Sequence, residues 1–232
     1  MKRNYDWSDF LIESPYELID EDRLAIRRAI GSGVPHKDQW SKSCLEVFKE
    51  HVKEYYDDVQ NGRCAYCRMK VSLATGYYHI EHIAPKSLYP QWMYEPLNLC
   101  LACPNCNSAK NAKDIISISN ADEIPRHSDA YLIVNPHIDK YFEHIEIIDG
   151  LLYRGITDKG KFTIEVCHLT RVELLTERAE KLIEDTLTPG TFEKIMMTYV
   201  LHPECIDDMD AVTTKIRKII KKITSNTLFG YE

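Results

Sequence analysis

Apolar residues recur at intervals of three and four in two segments of the first sixty residues, which is the spacing of one helix face. The first segment predicts a short helix from Glu21 to Ile30, which Gly31-Ser32-Gly33 would end. The second predicts a helix from Ser43 to Asn61-Gly62. The residues expected on its buried face are Leu45, Phe48, Val52, Tyr55 and Val59. We interpret residues 1–60 as an N-terminal helical arm.

The periodicity changes between residues 61 and 118. Tyr77 to Ile83 is rich in aromatic and β-branched residues and follows Gly76, which suits a turn, so this segment is predicted to be a strand. A second short strand is expected in the same stretch. Cys106 to Ile116 is then predicted to be a helix. Two strands followed by a helix indicate a small α+β unit.

Residues 119–232 are predicted to contain a few strands and then helices. Tyr131 to Val134 has the composition of a strand, and two further strands, Ile145 to Ile148 and Leu151 to Tyr153, would form a hairpin around Asp149-Gly150. The remainder of the chain has helical periodicity. The predicted fold class is therefore α+β, with a small two-strand and helix unit embedded in a mainly helical chain.

Three helices are predicted in the last third of the chain. Thr170 to Glu173 has the pattern of a capping box, in which a hydroxyl and a carboxylate satisfy the first backbone N–H groups of a helix. The apolar positions of the helix that follows are Val172, Leu175, Ala179, Leu182 and Leu187. Phe192 to Leu201 and Ala211 to Thr224 predict the other two helices, and the last one carries a basic face that is typical of a solvated surface.

The composition predicts a globular cytoplasmic protein. Of its 232 residues 44% are hydrophobic, yet no apolar run approaches the roughly 18 residues that a membrane helix needs, and the first ten residues are too polar for a signal peptide. The formal net charge is −7, which disfavours unaided binding to nucleic acid. Residues 61–113, however, have six basic and two acidic side chains. Such a chain is expected to gain affinity from a partner or a second subunit.

Cysteines mark a metal site in residues 61–118. Cys64-Ala-Tyr-Cys67 and Cys103-Pro-Asn-Cys106 are two CxxC pairs, each of which can hold one side of a tetrahedral zinc ion. Four thiolates leave no open position, so we predict one structural zinc per chain. Cys100 forms a third CxxC with Cys103 and could compete for the metal, but the pair Cys103 and Cys106 completes the motif described next. Cys100 is then expected to be a small buried apolar residue.

A second set of polar residues lies between the two CxxC pairs and directly after the second pair. It consists of His79-Ile-Glu-His82-Ile-Ala-Pro-Lys86, then Asn98-Leu99, then Asn107-Ser-Ala-Lys110 directly after Cys106. Over the fifty or so residues from Cys64 to Lys113 the chain resembles the HNH nuclease family. The resemblance implies a zinc-stapled ββα unit that binds one catalytic divalent ion, Mg²⁺ or Mn²⁺, and hydrolyses phosphodiester bonds.

The resemblance also implies a role for each matched residue. His82 corresponds to the general base, a task that suits an imidazole at neutral pH. Glu81 and Asn107 correspond to the ligands of the catalytic ion, which prefers oxygen atoms. Asn98 corresponds to the residue that orients the loop carrying the base. The family often has a histidine where this chain has Asn107, which makes the preferred metal harder to predict.

Two further residues are candidates for contact with phosphate. His79 projects from the predicted strand on the same side as Glu81, so it is expected near the metal or the phosphate unless it is merely packed or solvated. Lys110 lies one helical turn after Asn107 and is expected to face the phosphate, the alternative being a solvated lysine. A zinc module that binds nucleic acid or protein without cutting would need only the four cysteines, not Glu81 and His82 in register with them.

A more diffuse resemblance extends beyond the zinc loop. The residues that carry it include Asn135-Pro136 and Thr163 to Arg171, followed by Glu177-Arg178. They resemble the HNH subunit of Septu-type and retron-associated anti-phage systems. That resemblance implies a partner ATPase of the ABC or SMC-like class, with residues 119–232 as the docking region. DNA is the expected substrate, with RNA as the alternative. The alternative is a stand-alone HNH nuclease of restriction or mobile-element type.

Overall fold

The computed structural model describes residues 10–70, 78–118, 122–186 and 190–228, with no side chains described for Thr186 or from 222 onward. Within these ranges the helices are α1 (Asp20–Ile30), α2 (Glu46–Val59), α3 (Pro104–Lys110), α4 (Asp158–Val166), α5 (Val172–Thr186), α6 (Thr191–Leu201) and α7 (Met209–Leu228). The strands are β1 (His79–His82), β2 (Leu99–Ala102), β3 (Ile145–Ile148) and β4 (Leu152–Gly155). The predicted α+β class is confirmed. Among the described helices, none is both long and apolar enough to cross a membrane.

The strands form two separate antiparallel pairs. In the first pair His79 lies opposite Ala102 and His82 opposite Leu99. Because α3 starts two residues after β2 and packs against β1, this pair and α3 form the predicted ββα unit. The helix ends at Lys110, where Asn111 has a φ of +47°, so the predicted continuation to Ile116 is wrong. Gly76 and Tyr77 lie outside the described residues.

The buried face of α2 differs from the prediction by one position. Phe48, Val52 and Tyr56 are fully buried, whereas Val59 is 37% exposed and Tyr55 is half-buried. A spacing of four keeps the three buried residues on one face. Tyr56 also finds a partner for its hydroxyl, which donates to the carbonyl of Pro96 at 2.8 Å. The residue after the helix, Gln60, is buried too.

Gln60 joins α2 to the ββα unit. Its side-chain oxygen accepts a hydrogen bond from the backbone N–H of Leu101 at 2.7 Å, and its side-chain nitrogen donates to the carbonyl of Leu101 at 2.9 Å. The same nitrogen donates to the carbonyl of Arg63 at 2.8 Å. A buried amide that satisfies its groups in this way fixes the helix against β2. Part of the predicted N-terminal arm therefore packs against the ββα unit at β2.

The second strand pair confirms the predicted hairpin and excludes another predicted strand. Asp149 and Gly150 have φ values of +53° and +78°, the left-handed backbone that a tight hairpin turn requires. Tyr131 to Val134, by contrast, forms only a single bridge, between Tyr131 and Ile116. The backbone N–H of Val134 donates instead to the hydroxyl of Thr163 in α4 at 2.8 Å. The predicted strand in this segment is wrong. One reason is that the backbone N–H of Val134 is bonded to the Thr163 side chain and not to a neighbouring strand.

The helices of the last third are confirmed, but the capping box is not. The hydroxyl of Thr170 donates to the carboxylate of Asp207 at 2.7 Å, and α5 starts at Val172. Leu175 and Ala179 of α5 are fully buried, as predicted, and so are the first apolar residues of the α7 stripe, Val212 and Ile216. Leu187 lies outside the described residues. The division into three regions, 1–60, 61–118 and 119–232, stays a prediction, although contacts described below connect all three.

His137 gives the fold a predicted pH dependence. Its Nε2 donates to the carbonyl of Leu99 at 2.8 Å, and its ring packs edge-on against Tyr56, with 5.6 Å between ring centroids. Burial lowers the pKa of His137 to about 4. The unfolded chain, with a histidine pKa of about 6.5, therefore takes up a proton at a pH where the folded chain does not. The free energy of unfolding therefore has its full value above a pH of about 6.5, and the contribution of His137 is lost as the pH falls towards 4.

Between pH 7 and pH 5.5 this single group is expected to lower the free energy of unfolding by about 1 kcal/mol. Urea unfolding of the wild type and of His137→Gln at the two pH values measures the effect, because the variant lacks the titrating group. The exposed His127 supplies a matched control, His127→Gln. Equal pH slopes for the wild type and His137→Gln would contradict the prediction.

Candidate active site and zinc centre

Four cysteine side chains converge at one end of the ββα unit. The Sγ atoms of Cys64, Cys67, Cys103 and Cys106 all lie within 4.8 Å of one another. These are the four predicted zinc ligands. Cys100 is outside the group and is fully buried on β2, which agrees with its expected apolar role.

Two tight turns bring the cysteines together. In the first, the backbone N–H of Arg68 donates to the carbonyl of Cys64 at 3.0 Å, and Arg68 takes a φ of +56°. In the second, Cys103 caps the start of α3, where its Sγ accepts a hydrogen bond from the N–H of Cys106 at 3.4 Å. Pro104 occupies the first helical position, where its fixed φ is favourable. Both CxxC segments thus point their sulfur atoms at one place.

The chemistry of the cluster fits a zinc ion. A hydrogen bond with Cys103 is the largest of several effects that raise the pKa of Cys67 and of Cys106 well above that of a free thiol. Four crowded thiols therefore do not all ionise by themselves. A divalent cation that prefers sulfur in tetrahedral geometry removes this obstacle and holds all four as thiolates.

Asn98 holds the loop that follows β1. The side chain is fully buried, and its Oδ1 accepts from the N–H of Ala84 at 2.7 Å. Its Nδ2 donates to the carbonyls of Ala84 and Trp92 at 3.0 and 3.1 Å. The backbone carbonyl of Asn98 also accepts from the N–H of Ile83 at 2.9 Å. Three of these four bonds fix Ile83 and Ala84, directly after His82, and the fourth ties them to Trp92.

His82, at the end of β1, has a defined orientation and charge. Its Nε2 lies 3.1 Å from the carbonyl of Met93, which can only accept, so Nε2 is the protonated nitrogen. The ring of Trp40 packs edge-on against the imidazole, with 4.4 Å between centroids. Burial lowers the pKa of His82 well below its ordinary value. A neutral imidazole held in this way has its lone pair on Nδ1, as a general base requires.

Glu81 and Lys110 form a buried ion pair beneath β1. The Nζ of Lys110 lies 2.6 Å from Oε1 of Glu81 and donates to the carbonyl of His82 at 3.0 Å. Tyr66 donates its hydroxyl to the same Oε1 at 3.3 Å. Since Lys110 is fully buried, its ammonium does not lie on the surface, where the sequence placed it as a phosphate ligand. The physical reason is that α3 packs on β1, and a buried lysine must pair with a carboxylate there.

His79 and Asn107 meet at the surface edge of the same unit. The amide Nδ2 of Asn107 lies 2.8 Å from Nδ1 of His79, which is exposed. Glu81 is two residues further along β1 and so faces the same side of the strand. An imidazole, an amide oxygen and a carboxylate are suitable donors for a divalent ion, but Oε1 of Glu81 is already taken by Lys110. An ion held by the predicted pair of Glu81 and Asn107 would therefore have to use the other carboxylate oxygen.

Two side chains that the sequence analysis gave no role belong to this site. Trp40, which covers His82, comes from the segment before α2, far from the motif. Lys86 is half-buried and lies close enough to Glu81 and His82 to affect the pKa of each. Lys86 was visible as part of the motif, whereas nothing local in the sequence marks Trp40.

The comparisons with known proteins agree with this geometry. Residues 64–113 match the family model of the HNH endonucleases. The chain is also 27% identical over 183 residues to the Septu protein PtuB of Bacillus thuringiensis, an alignment that covers 79% of this chain and 61% of that protein. The chain thus spans about three fifths of the length of this relative. With four clustered cysteines and a ββα unit, residues 64–113 thus match an HNH endonuclease domain in both sequence and architecture.

Proposed function

We propose that this chain hydrolyses phosphodiester bonds in nucleic acid, with DNA as the substrate. The observation that carries the proposal is the state of His82, a neutral and oriented imidazole at the end of β1. A histidine that only filled space would not need the two residues after it held by three hydrogen bonds with Asn98. The family match supports the same reaction.

The protein groups divide the work of the proposed reaction. Nδ1 of His82 accepts the proton of the attacking water, while Met93 keeps the other nitrogen protonated. Asn98 holds the loop so that the imidazole does not turn away. Lys86 replaces Lys110 as the proposed phosphate contact, because it is the half-buried lysine beside Glu81 and His82. Its positive charge would stabilise the extra negative charge that develops on the phosphate.

We propose that one divalent ion, Mg²⁺ or Mn²⁺, binds between Glu81 and Asn107, with His79 beside it. Both contacts of the Glu81 carboxylate described above use Oε1, and a carboxylate has a second oxygen to offer. The Asn107 amide points its nitrogen at His79, which leaves its oxygen for the ion. When bound, such an ion acts as a Lewis acid on the phosphate.

We further propose that the chain is the nuclease of an anti-phage defence complex in the cytoplasm. Its relative is a Septu protein, and the net charge of −7 argues that a partner brings the substrate. The proposed partner is an ATPase of the ABC or SMC-like class that docks on residues 119–232. A gene for such an ATPase is expected beside this one in the native host, and purification from that host should recover its product together with this chain. Recovery of the chain alone would count against the complex.

Asn107→Ala is expected to lower DNA cleavage at least roughly 10-fold, because an ion that loses an inner ligand binds more weakly. Zinc content and melting temperature should stay at wild-type values, since the side chain is at the surface edge. The assay offers supercoiled plasmid, linear DNA, single-stranded DNA and RNA, first with Mg²⁺ or Mn²⁺ and then with EDTA. Cleavage that needs the ion and prefers DNA supports both parts of the proposal.

Asn105→Ala is the matched control, because Asn105 is an exposed asparagine of the same helix. It should cut like the wild type. Wild-type cleavage by Asn107→Ala would contradict the ion site. If no variant cuts, the assay is repeated with the neighbouring ATPase, and failure there as well would favour a zinc module that binds without cutting.

A further inference from the structure

Arg178 of α5 contacts the first zinc-binding turn. Its Nη2 donates to the carbonyl of Cys67 at 2.7 Å, its Nη1 to that of Gly150 at 2.9 Å, and its Nε to the hydroxyl of Tyr153 at 2.6 Å. The Tyr153 hydroxyl donates in turn to the carbonyl of Cys67. One buried guanidinium thus ties α5 and the β3–β4 hairpin to the backbone of a zinc ligand.

Arg171, directly before α5, contacts the second zinc-binding turn through a sulfur atom. Its Nη1 and Nη2 lie 3.7 and 3.6 Å from Sγ of Cys106. Nη1 also donates to the carbonyls of Cys167 and His168 at 3.2 and 2.8 Å. The side chain therefore bridges a predicted zinc ligand and the turn between α4 and α5.

The charge at Arg171 suits the metal site. Four thiolates outweigh the charge of one zinc ion, so the loaded cluster is negative and partly buried, and a cation in contact with it offsets that charge. Hydrogen bonds from a charged donor are roughly twice as strong as those between neutral groups. The planar guanidinium can reach the sulfur and two carbonyls together, which a lysine ammonium does with poorer geometry.

We propose that Arg171 is a positioning residue of the zinc site and that zinc binding and the docking of residues 158–186 on the HNH domain are one coupled event. The α4–α5 segment then belongs to the metal site as well as to the proposed docking region. Zinc loss should loosen α5 as well as the two CxxC turns. The inference depends on the zinc site and not on nuclease activity.

The test measures zinc release from the full-length protein. Arg171→Met should release zinc about 10- to 100-fold faster than the wild type into excess EDTA with a chromogenic indicator, the range seen when groups that orient metal ligands are lost. The zinc-release rate of Arg171→Lys should lie between those of the wild type and Arg171→Met, since lysine keeps the positive charge but lacks the planar guanidinium group. Arg154→Met is the control, because Arg154 is an exposed arginine on the neighbouring β4 that pairs with Glu146.

Hydrogen exchange supplies a second measurement, which tests the coupling in the wild type and so does not depend on how well a variant folds. In the wild type, stripping zinc should raise amide exchange in α5 together with residues 64–113, and in Arg171→Lys the rise in α5 should occur at a lower chelator concentration. Wild-type zinc release by both Arg171 variants would overturn the role of Arg171. Exchange that rises only within residues 64–113 would overturn the coupling.

Discussion

Replacing Cys106 by alanine is expected to remove the zinc and, with it, the folded state of residues 64–113. Zinc binding in small zinc-dependent folds is worth roughly 10 kcal/mol or more, while the net stability of a whole domain is about 5–15 kcal/mol. Three remaining thiolates leave one position open, and no other His, Cys, Asp or Glu of the described residues lies in the cluster to fill it. Elemental analysis of protein purified without chelator and a melting curve measure both losses.

Cys100→Ala is the matched control for this experiment. Cys100 forms a CxxC with Cys103 in the sequence, but its sulfur is buried on β2 outside the cluster. The control variant should keep one zinc ion per chain and melt within a few degrees of the wild type. Retention of zinc by Cys106→Ala together with its loss from Cys100→Ala would reverse the assignment of the ligands.

His82→Ala is expected to lower the cleavage rate by about 10²- to 10⁴-fold, the range that general-base catalysis contributes. The imidazole is the group proposed to accept the proton from water, and alanine has no group that can take up that proton. Single-turnover cleavage of DNA, with the proposed partner ATPase if the isolated chain is inactive, measures the loss.

The exposed His127 provides the control, and His127→Ala should cut at the wild-type rate. His82→Ala must also retain its zinc, because the imidazole is not part of the cysteine cluster. A cleavage rate within threefold of the wild type would show that His82 is not the base. Loss of zinc along with activity would instead indicate that the packing of Trp40 on His82 holds the domain together.

Most of the site could be predicted because its residues are close together in the sequence. The four cysteines and Asn98 all lie within fifty residues of the sequence. In the structure the four cysteine side chains form one cluster, and Asn98 lies beside the loop after β1. Spacing is informative here because a metal ion accepts only a small set of geometries. The catalytic roles of Glu81, His82 and Asn107 remain proposals.

Predictions that depended on how two elements pack were less successful. Lys110 follows Asn107 by three residues, and no sequence pattern shows which side of so short a helix faces β1. The structure buries the ammonium against Glu81. The choice of Tyr56 over Tyr55 for the buried face of α2 has the same origin, since both tyrosines fit an apolar stripe until the helix has a partner to pack on.

The sequence by itself determined the cysteine cluster, the match to the HNH endonucleases and the α+β class, because these follow from residue type, spacing and local periodicity. Only the tertiary structure decided what surrounds the site. Trp40 over His82, Gln60 against β2 and Arg171 on Cys106 join residues between 40 and 65 positions apart. Such contacts form when the apolar faces of separate elements pack into one core and the polar groups buried there must form hydrogen bonds. No local stretch of the sequence shows which elements will pack together.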